Sequence, residues 1–306
     1  MLKKDFNFLL KLMKENAGWQ FDEKNYFVIE KKIANFIRGK NYGSEEDLIN
    51  ELRTGNRTLI NQVVETIAFS DTMFFRDAEV FADFKNKVLP KLKDKCRSRK
   101  EINVWSVGCS SGQETYSIAI IFDKCKKNFQ NWKINISGSD ISVVAINKSQ
   151  RGLYNNFEIQ TGLSIDDILE YFEINREQWL AKDIIRHKVD FRHYNVLDDI
   201  AGTNKFEVVF CRNLLKYFDT EHQDEILKRL SERQPQGGYL ILGKNEKIPA
   251  LDKYYYPASG MSDIYIAIGK QQAETVFNGN ISISAPAKND DKEQMPSFTR
   301  PKEFIR

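Results

Sequence analysis

Polar and charged side chains recur just beyond apolar runs in the middle of the chain. Residues 104–107 give way to Gly108-Cys109-Ser110-Ser111-Gly112 and then Glu114. Residues 133–138 lead to Ser139-Asp140, Phe191 to Asn195-Val196, and residues 206–210 to Arg212, Asn213 and Tyr217. In an open α/β sheet, ligands bind beyond the carboxyl ends of the strands, so such a sheet would gather these residues at one edge. A carboxylate such as Asp140 accepts from two hydroxyls at once, which suits a ribose diol. Glycines at 108 and 112 let a ligand approach backbone that a Cβ would shield. Their spacing is neither the dinucleotide fingerprint nor a P-loop, because no Lys-Ser/Thr follows the second glycine. Plain structural readings also exist: Asp140 as a helix N-cap and Glu114 as a first-turn acid.

The elements that must position these residues are legible from periodicity. From residue 102 strands and helices alternate, which predicts a mostly parallel sheet. Strands are expected at 102–107, 133–138, 189–191, 206–210, 239–242 and 263–268, with helices at 113–127, 141–150 and 219–232. Residues 151–193 break the alternation. A turn at 151–154 and a helix at 164–172, capped by Ser164, precede apolar pairs at 179–180 and 184–185. These pairs read as strands of a small antiparallel insertion at about 160–192. Residues 1–67 carry four amphipathic helical stripes and no alternation, so residues 1–75 form a helical N-terminal domain with its linker. Residues 78–97 form a further helix, kinked at Pro90. The α/β domain spans 76–270. Residues 271–306 are polar, contain Pro286, Pro296 and Pro301, and read as a disordered tail.

Composition excludes several classes. Net charge is only +3, so charge acts locally. The 4 cysteines form no Cys-x-x-Cys pair and have 3 histidines for company, which argues against a disulfide framework and a metal site. No apolar run approaches the roughly 18 residues of a membrane helix. A cytoplasmic monomer is expected, and no basic-aromatic interleaving suggests nucleic acid. On the second helix Lys24, Lys31, Lys32 and Arg38 form either a solvated face or a docking surface for an acidic helical partner.

Ordered blocks carry a resemblance. Thr72-Met73-Phe74-Phe75-Arg76-Asp77 comes first, then Trp105 with the segment from Gly108 to Ser117, and Ser139-Asp140-Ile141. Gly152-Leu153-Tyr154, Phe191 with Asn195-Val196-Leu197, and Phe210-Cys211-Arg212-Asn213 with Tyr217-Phe218-Asp219 follow. Together they resemble the CheR-type chemotaxis receptor methyltransferases, over residues 5–269. The resemblance implies an S-adenosylmethionine-dependent methyltransferase (Rossmann-like) sheet behind an all-helical domain, and methyl transfer to receptor glutamates. It implies that Ser70, Thr72, Arg76, Gly108, Glu114, Asp140, Asn195, Val196, Arg212 and Asn213 bind the cofactor. Arg76 and Tyr217 would lie nearest the methyl group and substrate carboxylate. Ser70 stands where the family has Asn and loses the two-pronged amide. Thr115 replaces a helix-start Pro, and Gly243-Lys244-Asn245-Glu246 keeps a Gly-x-x-Glu frame. The insertion, short and without glycine between Phe172 and Phe191, resembles the kind that does not dock a receptor pentapeptide. The partner implied is the acidic helical bundle of the receptor, met by the basic second helix.

The chemistry is compatible with these residues. A glutamate with a reference pKa near 4.3 is ionised at pH 7, so methyl transfer to it requires no general base. Accordingly, His187, His193 and His222 fall in none of the matched blocks. Alignment and desolvation remain as the tasks of the site. Two other readings are a same-fold enzyme acting on RNA or a small molecule, and a cofactor-binding module without catalysis. The absence of an Asn-Pro-Pro-Tyr motif after residue 210 weighs against the first, and the presence of Arg76, Glu114, Asp140, Asn213 and Tyr217 against the second.

Overall fold

Apolar stripes without alternation fold the first 67 residues into α1 (Lys3–Ala17), α2 (Tyr26–Lys40), α3 (Glu45–Arg53) and α4 (Arg57–Ile67). Side-chain caps fix two of the starts: Ser44 Oγ accepts from Asp47 N–H at 3.1 Å and Asn56 Oδ1 from Leu59 N–H at 3.2 Å. Leu9, Met13, Ile29, Ile33, Leu48 and Val63 form the buried seam between these helices. The computed structural model describes residues 1–40, 42–68, 72–198 and 205–268. Ser70 and the expected tail at 271–306 lie outside the described residues.

After Asp77 come α5 (Ala78–Asp83) and α6 (Leu89–Lys95), joined through a π-helical turn, Phe84–Val88. Pro90 was expected to kink this helix. It sits instead in the first turn of α6, where its missing N–H is harmless, and the irregularity falls upstream in the π turn.

The alternating region gives β1 (Glu101–Val107), α7 (Gln113–Lys124), β2 (Lys133–Asp140) and α8 (Val143–Arg151). The insertion follows as β3 (Leu153–Tyr154), α9 (Asn156–Gln160), α10 (Ile165–Tyr171), β4 (Phe172–Asn175), β5 (Gln178–Ala181) and α11 (Asp183–Arg186). The chain then completes β6 (Val189–His193), β7 (Val208–Phe210), α12 (Thr220–Glu232), β8 (Tyr239–Ile241), β9 (Tyr255–Pro257) and β10 (Ile264–Ala267). The main sheet has the order β6-β2-β1-β7-β8-β10-β9. β6, β2, β1, β7 and β8 run parallel, and β10 runs antiparallel to both its neighbours, β8 and β9. The order in which strands are added reverses between β1 and β7, which makes their carboxyl ends the switch point where such sheets bind ligands.

The insertion differs from expectation in two places. Ile184-Ile185 is helical, not a strand: Ile185 is buried and Ile184 partly exposed on a short turn. The strands that complete this sheet are β3, drawn from the segment read as a turn, and β4, which starts where the expected helix ends, in the order β3-β5-β4. No helix among the described residues is long and apolar enough to cross a membrane.

Candidate active site

β1 and β7 are in register, Ser106 beside Phe210, so both chains leave the sheet together. On the other side of β1, Val107 pairs with Ser139, and β2 ends one residue later at Asp140. The three exits surround a cleft with two compartments. One is lined by Gly108, Asp140, Tyr194, Asn195, Val196, Leu214 and Phe218. The other is lined by Gly108, Ser110, Asp140, Arg212, Asn213, Lys216 and Tyr217. Trp19, Gly108, Asp140, Ile141 and Leu214 border both compartments, so the two adjoin. Of the expected site residues, the cleft gathers Gly108, Asp140, Asn195, Val196, Arg212, Asn213 and Tyr217.

Asp140 is held from both sides. Its Oδ2 accepts from Ser110 N–H and its Oδ1 from Ser142 N–H, each at 2.9 Å. Burial pushes its pKa up, and these N–H groups pull it partly back. Gly108 lines the cleft, and a Cβ there would stand 3.1 Å from the Leu214 side chain. Gly112 does something else: at φ 92° it faces the Ser149 Cβ and the Phe191 ring, so it closes the packing of the turn and opens no ligand space.

Glu114 and Arg212 form a buried hub beside the cleft. Glu114 Oε1 accepts from the Ser106 hydroxyl at 2.7 Å, and its Oε2 from Arg212 Nη1 at 3.0 Å. Arg212 Nη2 also donates to the Arg76 carbonyl and to Asp77 Oδ2, each at 2.7 Å. The guanidinium lies over the Phe81 ring at 5.3 Å. It thereby ties β7 to the segment carrying Thr72 and Arg76. That segment is strained: Phe75 and Asp77 hold φ 47° and 57°. Neither compartment's lining includes Thr72, Arg76 or Glu114. Glu114 and the Arg76 carbonyl both contact the cleft-lining Arg212.

Four residues that shape this site were not expected as site residues, although Glu246 had been noted in its Gly-x-x-Glu frame. Trp19 and Phe21 lie in the segment after α1, within a stretch expected to be helical throughout. Gln20 N–H donates to the Tyr217 carbonyl at 2.7 Å, Trp19 bridges Phe218, and the Phe21 and Tyr217 rings meet edge to face at 6.2 Å. Two aromatics directly behind Gly18, off any helical stripe, were the available signal. Glu246 Oε2 accepts from Asn213 N–H at 2.8 Å and Gly243 N–H at 2.7 Å, pinning Asn213 in a left-handed conformation, φ 59°. Burial pushes the Glu246 pKa up. Lys216, adjacent to the expected Tyr217, lines the cleft beside it.

Two buried polar atoms of the lining residues, Ser110 Oγ and Arg212 Nε, have no hydrogen-bond partner among the described residues. A ligand bearing hydroxyl, amine and carboxylate groups would satisfy them. S-adenosylmethionine bears all three.

Residues 70–263 match the CheR methyltransferase, SAM binding domain family. The chain is 31% identical over 255 residues to chemotaxis protein methyltransferase 1 of Pseudomonas aeruginosa, covering 82% of this chain and 93% of that protein. It is 31% identical over 256 residues to chemotaxis protein methyltransferase Cher2 of Pseudomonas putida, with 82% and 93% covered. A Borreliella burgdorferi chemotaxis protein methyltransferase is 30% identical over 255 residues, with 80% and 89% covered. The ligand-suited cleft at the switch point and a family match over most of the sheet agree, and the chain belongs to the CheR family of S-adenosylmethionine-dependent methyltransferases.

Proposed function

We propose that this protein transfers the methyl group of S-adenosylmethionine to glutamate side chains of chemotaxis receptors, forming methyl esters and tuning sensory adaptation. The observation that carries this reading is a cleft of two adjoining compartments with distinct ends. Asn195 and Val196 stand at one, Arg212, Asn213 and Tyr217 at the other, and Asp140 borders both. Asp140 would hold the ribose, and Asn195 with Val196 would frame the adenine. Ser110, Glu114 and Arg212 would hold the amino-acid end, with Thr72 and Arg76 behind it. Ser70 belongs to this set by resemblance alone.

The cofactor supplies an electrophilic methyl carbon on a sulfonium. A substrate carboxylate oxygen would bond to that carbon, and the carbon–sulfur electron pair would stay with sulfur. Opposite charges cancel as the ester forms, and no proton moves. The protein therefore needs to align the carboxylate and exclude water. Tyr217 walls the reaction end, fixed by Phe21 and the Gln20 bond. Arg76 engages the carboxylate while leaving one oxygen lone pair free, since a full bidentate clamp would blunt the nucleophile.

The docking face of α2 is narrower than the four basic residues first named. Lys24, Lys31 and Arg38 are exposed, as is Phe27 at 78%. Lys32 is turned inward: its Nζ donates to the carbonyls of Thr66 at 3.1 Å and Ala68 at 2.6 Å. Lys31, Arg38 and Phe27 therefore support contact with an acidic helical bundle. In the insertion, β4 and β5 are joined only by Arg176-Glu177, which supports a pentapeptide-independent enzyme.

Receptor membranes incubated with the protein and methyl-labelled cofactor test the reading. Base-labile label on the receptor is expected, and it should fall sharply with Arg76→Ala. Absence of receptor label with the intact protein would refute the substrate assignment.

A further inference from the structure

The cleft that would admit an anionic side chain is rich in carboxylates. Asp140 lines it, and Glu114 and Glu246 stand behind it. Its lining cations among the described residues are Arg212 and Lys216. Arg212 is not available to a substrate anion: both of its Nη atoms are committed, and its buried Nε is the donor already given to the cofactor. Its side chain is 2% exposed and already engaged by Glu114, Asp77 and the Arg76 carbonyl.

Lys216 is placed differently. It is exposed, on a 3₁₀ turn, Leu215–Tyr217, and its Nζ lies 5.1 Å from the centre of the Tyr217 ring. That turn is rigidly held. Tyr217 N–H donates to Leu214 O at 3.2 Å, Phe218 N–H to Leu215 O at 3.0 Å, and the Tyr217 carbonyl accepts from Gln20. The nearby Glu246 carboxylate already has one oxygen committed to two backbone N–H groups. Among the described residues Lys216 makes no ion pair within 4 Å.

We infer that Lys216 is a specificity-determining residue that receives the substrate carboxylate at the mouth of the cleft and passes it along the face of Tyr217. This rests on the glutamate-methylating reading above. An ammonium suits the task because it attracts as a point charge, whereas a guanidinium fork engages both carboxylate oxygens. One oxygen stays free to attack. The same charge offsets the repulsion of Asp140, Glu114 and Glu246, so neutral side chains of similar size are not drawn in.

The test compares wild type, Lys216→Met, Lys216→Arg and Lys216→Glu on receptor membranes, across about 50–300 mM salt, with cofactor affinity measured separately. Lys216→Met should raise KM for receptor by about 10-fold, with kcat falling far less, and should flatten the salt dependence of kcat/KM. Lys216→Glu should raise KM further, and Lys216→Arg should restore most of KM but lower kcat, because its fork engages both carboxylate oxygens. Cofactor affinity should stay within about 2-fold of wild type in all three, since the charge faces substrate. An unchanged KM in Lys216→Met, or a loss confined to cofactor affinity, overturns the assignment. If wild type itself labels no receptor, the glutamate-methylating reading fails instead, so the two failures are distinguishable.

Discussion

Arg212 is the residue whose removal tests the architecture of the site most directly. Arg212→Met keeps the length and the apolar contact with Phe81 but deletes the guanidinium. Three interactions disappear: with Glu114 at 3.0 Å, Asp77 at 2.7 Å and the Arg76 carbonyl at 2.7 Å. They do not weigh equally. Asp77, 24% exposed, can turn to water. Glu114, 11% exposed, cannot, and keeps only the Ser106 hydroxyl. An orphaned buried charge of this kind costs about 3–5 kcal/mol. Against a typical domain stability of about 5–15 kcal/mol, the variant should still fold at room temperature with a lowered urea midpoint. Glu114→Gln in the same chain removes the orphaned charge, so the double variant should recover about 2–3 kcal/mol, a coupling that a double-mutant cycle reads directly. Cofactor binding should not recover with it, because the strained segment at Phe75–Asp77 has lost its tie to β7. Stability lowered by under about 1 kcal/mol in Arg212→Met, or no recovery with Glu114→Gln, would show that the hub is not what holds these walls together.

Three further outcomes follow from the geometry. Only an ionised Asp140 accepts from two ribose hydroxyls, and burial places its pKa above the ordinary aspartate range. Cofactor affinity measured by calorimetry should therefore weaken as pH falls from neutral toward that raised pKa. Asp140→Asn should bind about 10–100-fold more weakly at neutral pH, with a flatter pH response. Glu246→Ala strips acceptors from two backbone N–H groups and should cost about 2–4 kcal/mol in urea unfolding, while Glu246→Gln, whose amide oxygen still accepts, should stay within about 1 kcal/mol. Lys32→Met should lower stability by about 1–2 kcal/mol through the carbonyls at the end of α4 and leave KM for receptor unchanged, whereas Lys31→Glu should do the reverse.

What the sequence made legible, and what it did not, divides along the range of the interactions. Strand exits followed by polar residues are local patterns, and Asp140, Asn195, Val196, Arg212 and Asn213 could be picked one strand at a time because the sheet then brings their carboxyl ends together. Periodicity also separated the helical N-terminal region from the α/β region. It misread the segments whose structure depends on partners far along the chain. Leu153–Tyr154 becomes a strand only because β5, more than 20 residues later, offers it a partner, and Ile184-Ile185 is too short a run to tell strand from helix. The same limit applies inside the site. Glu114 was expected to hold the ligand, and its bonds to Ser106 and Arg212 give it a second task, keeping a guanidinium oriented beside the cleft. A carboxylate's neighbours across 98 residues of chain leave no spacing to read. Gly112 carries the converse lesson. The tight turn expected there exists, but what demands a glycine is the Phe191 ring on β6 rather than a bound molecule. Types of residue at strand ends thus announce that a ligand site exists, while the division of labour between ligand contact and wall is decided by packing between distant segments.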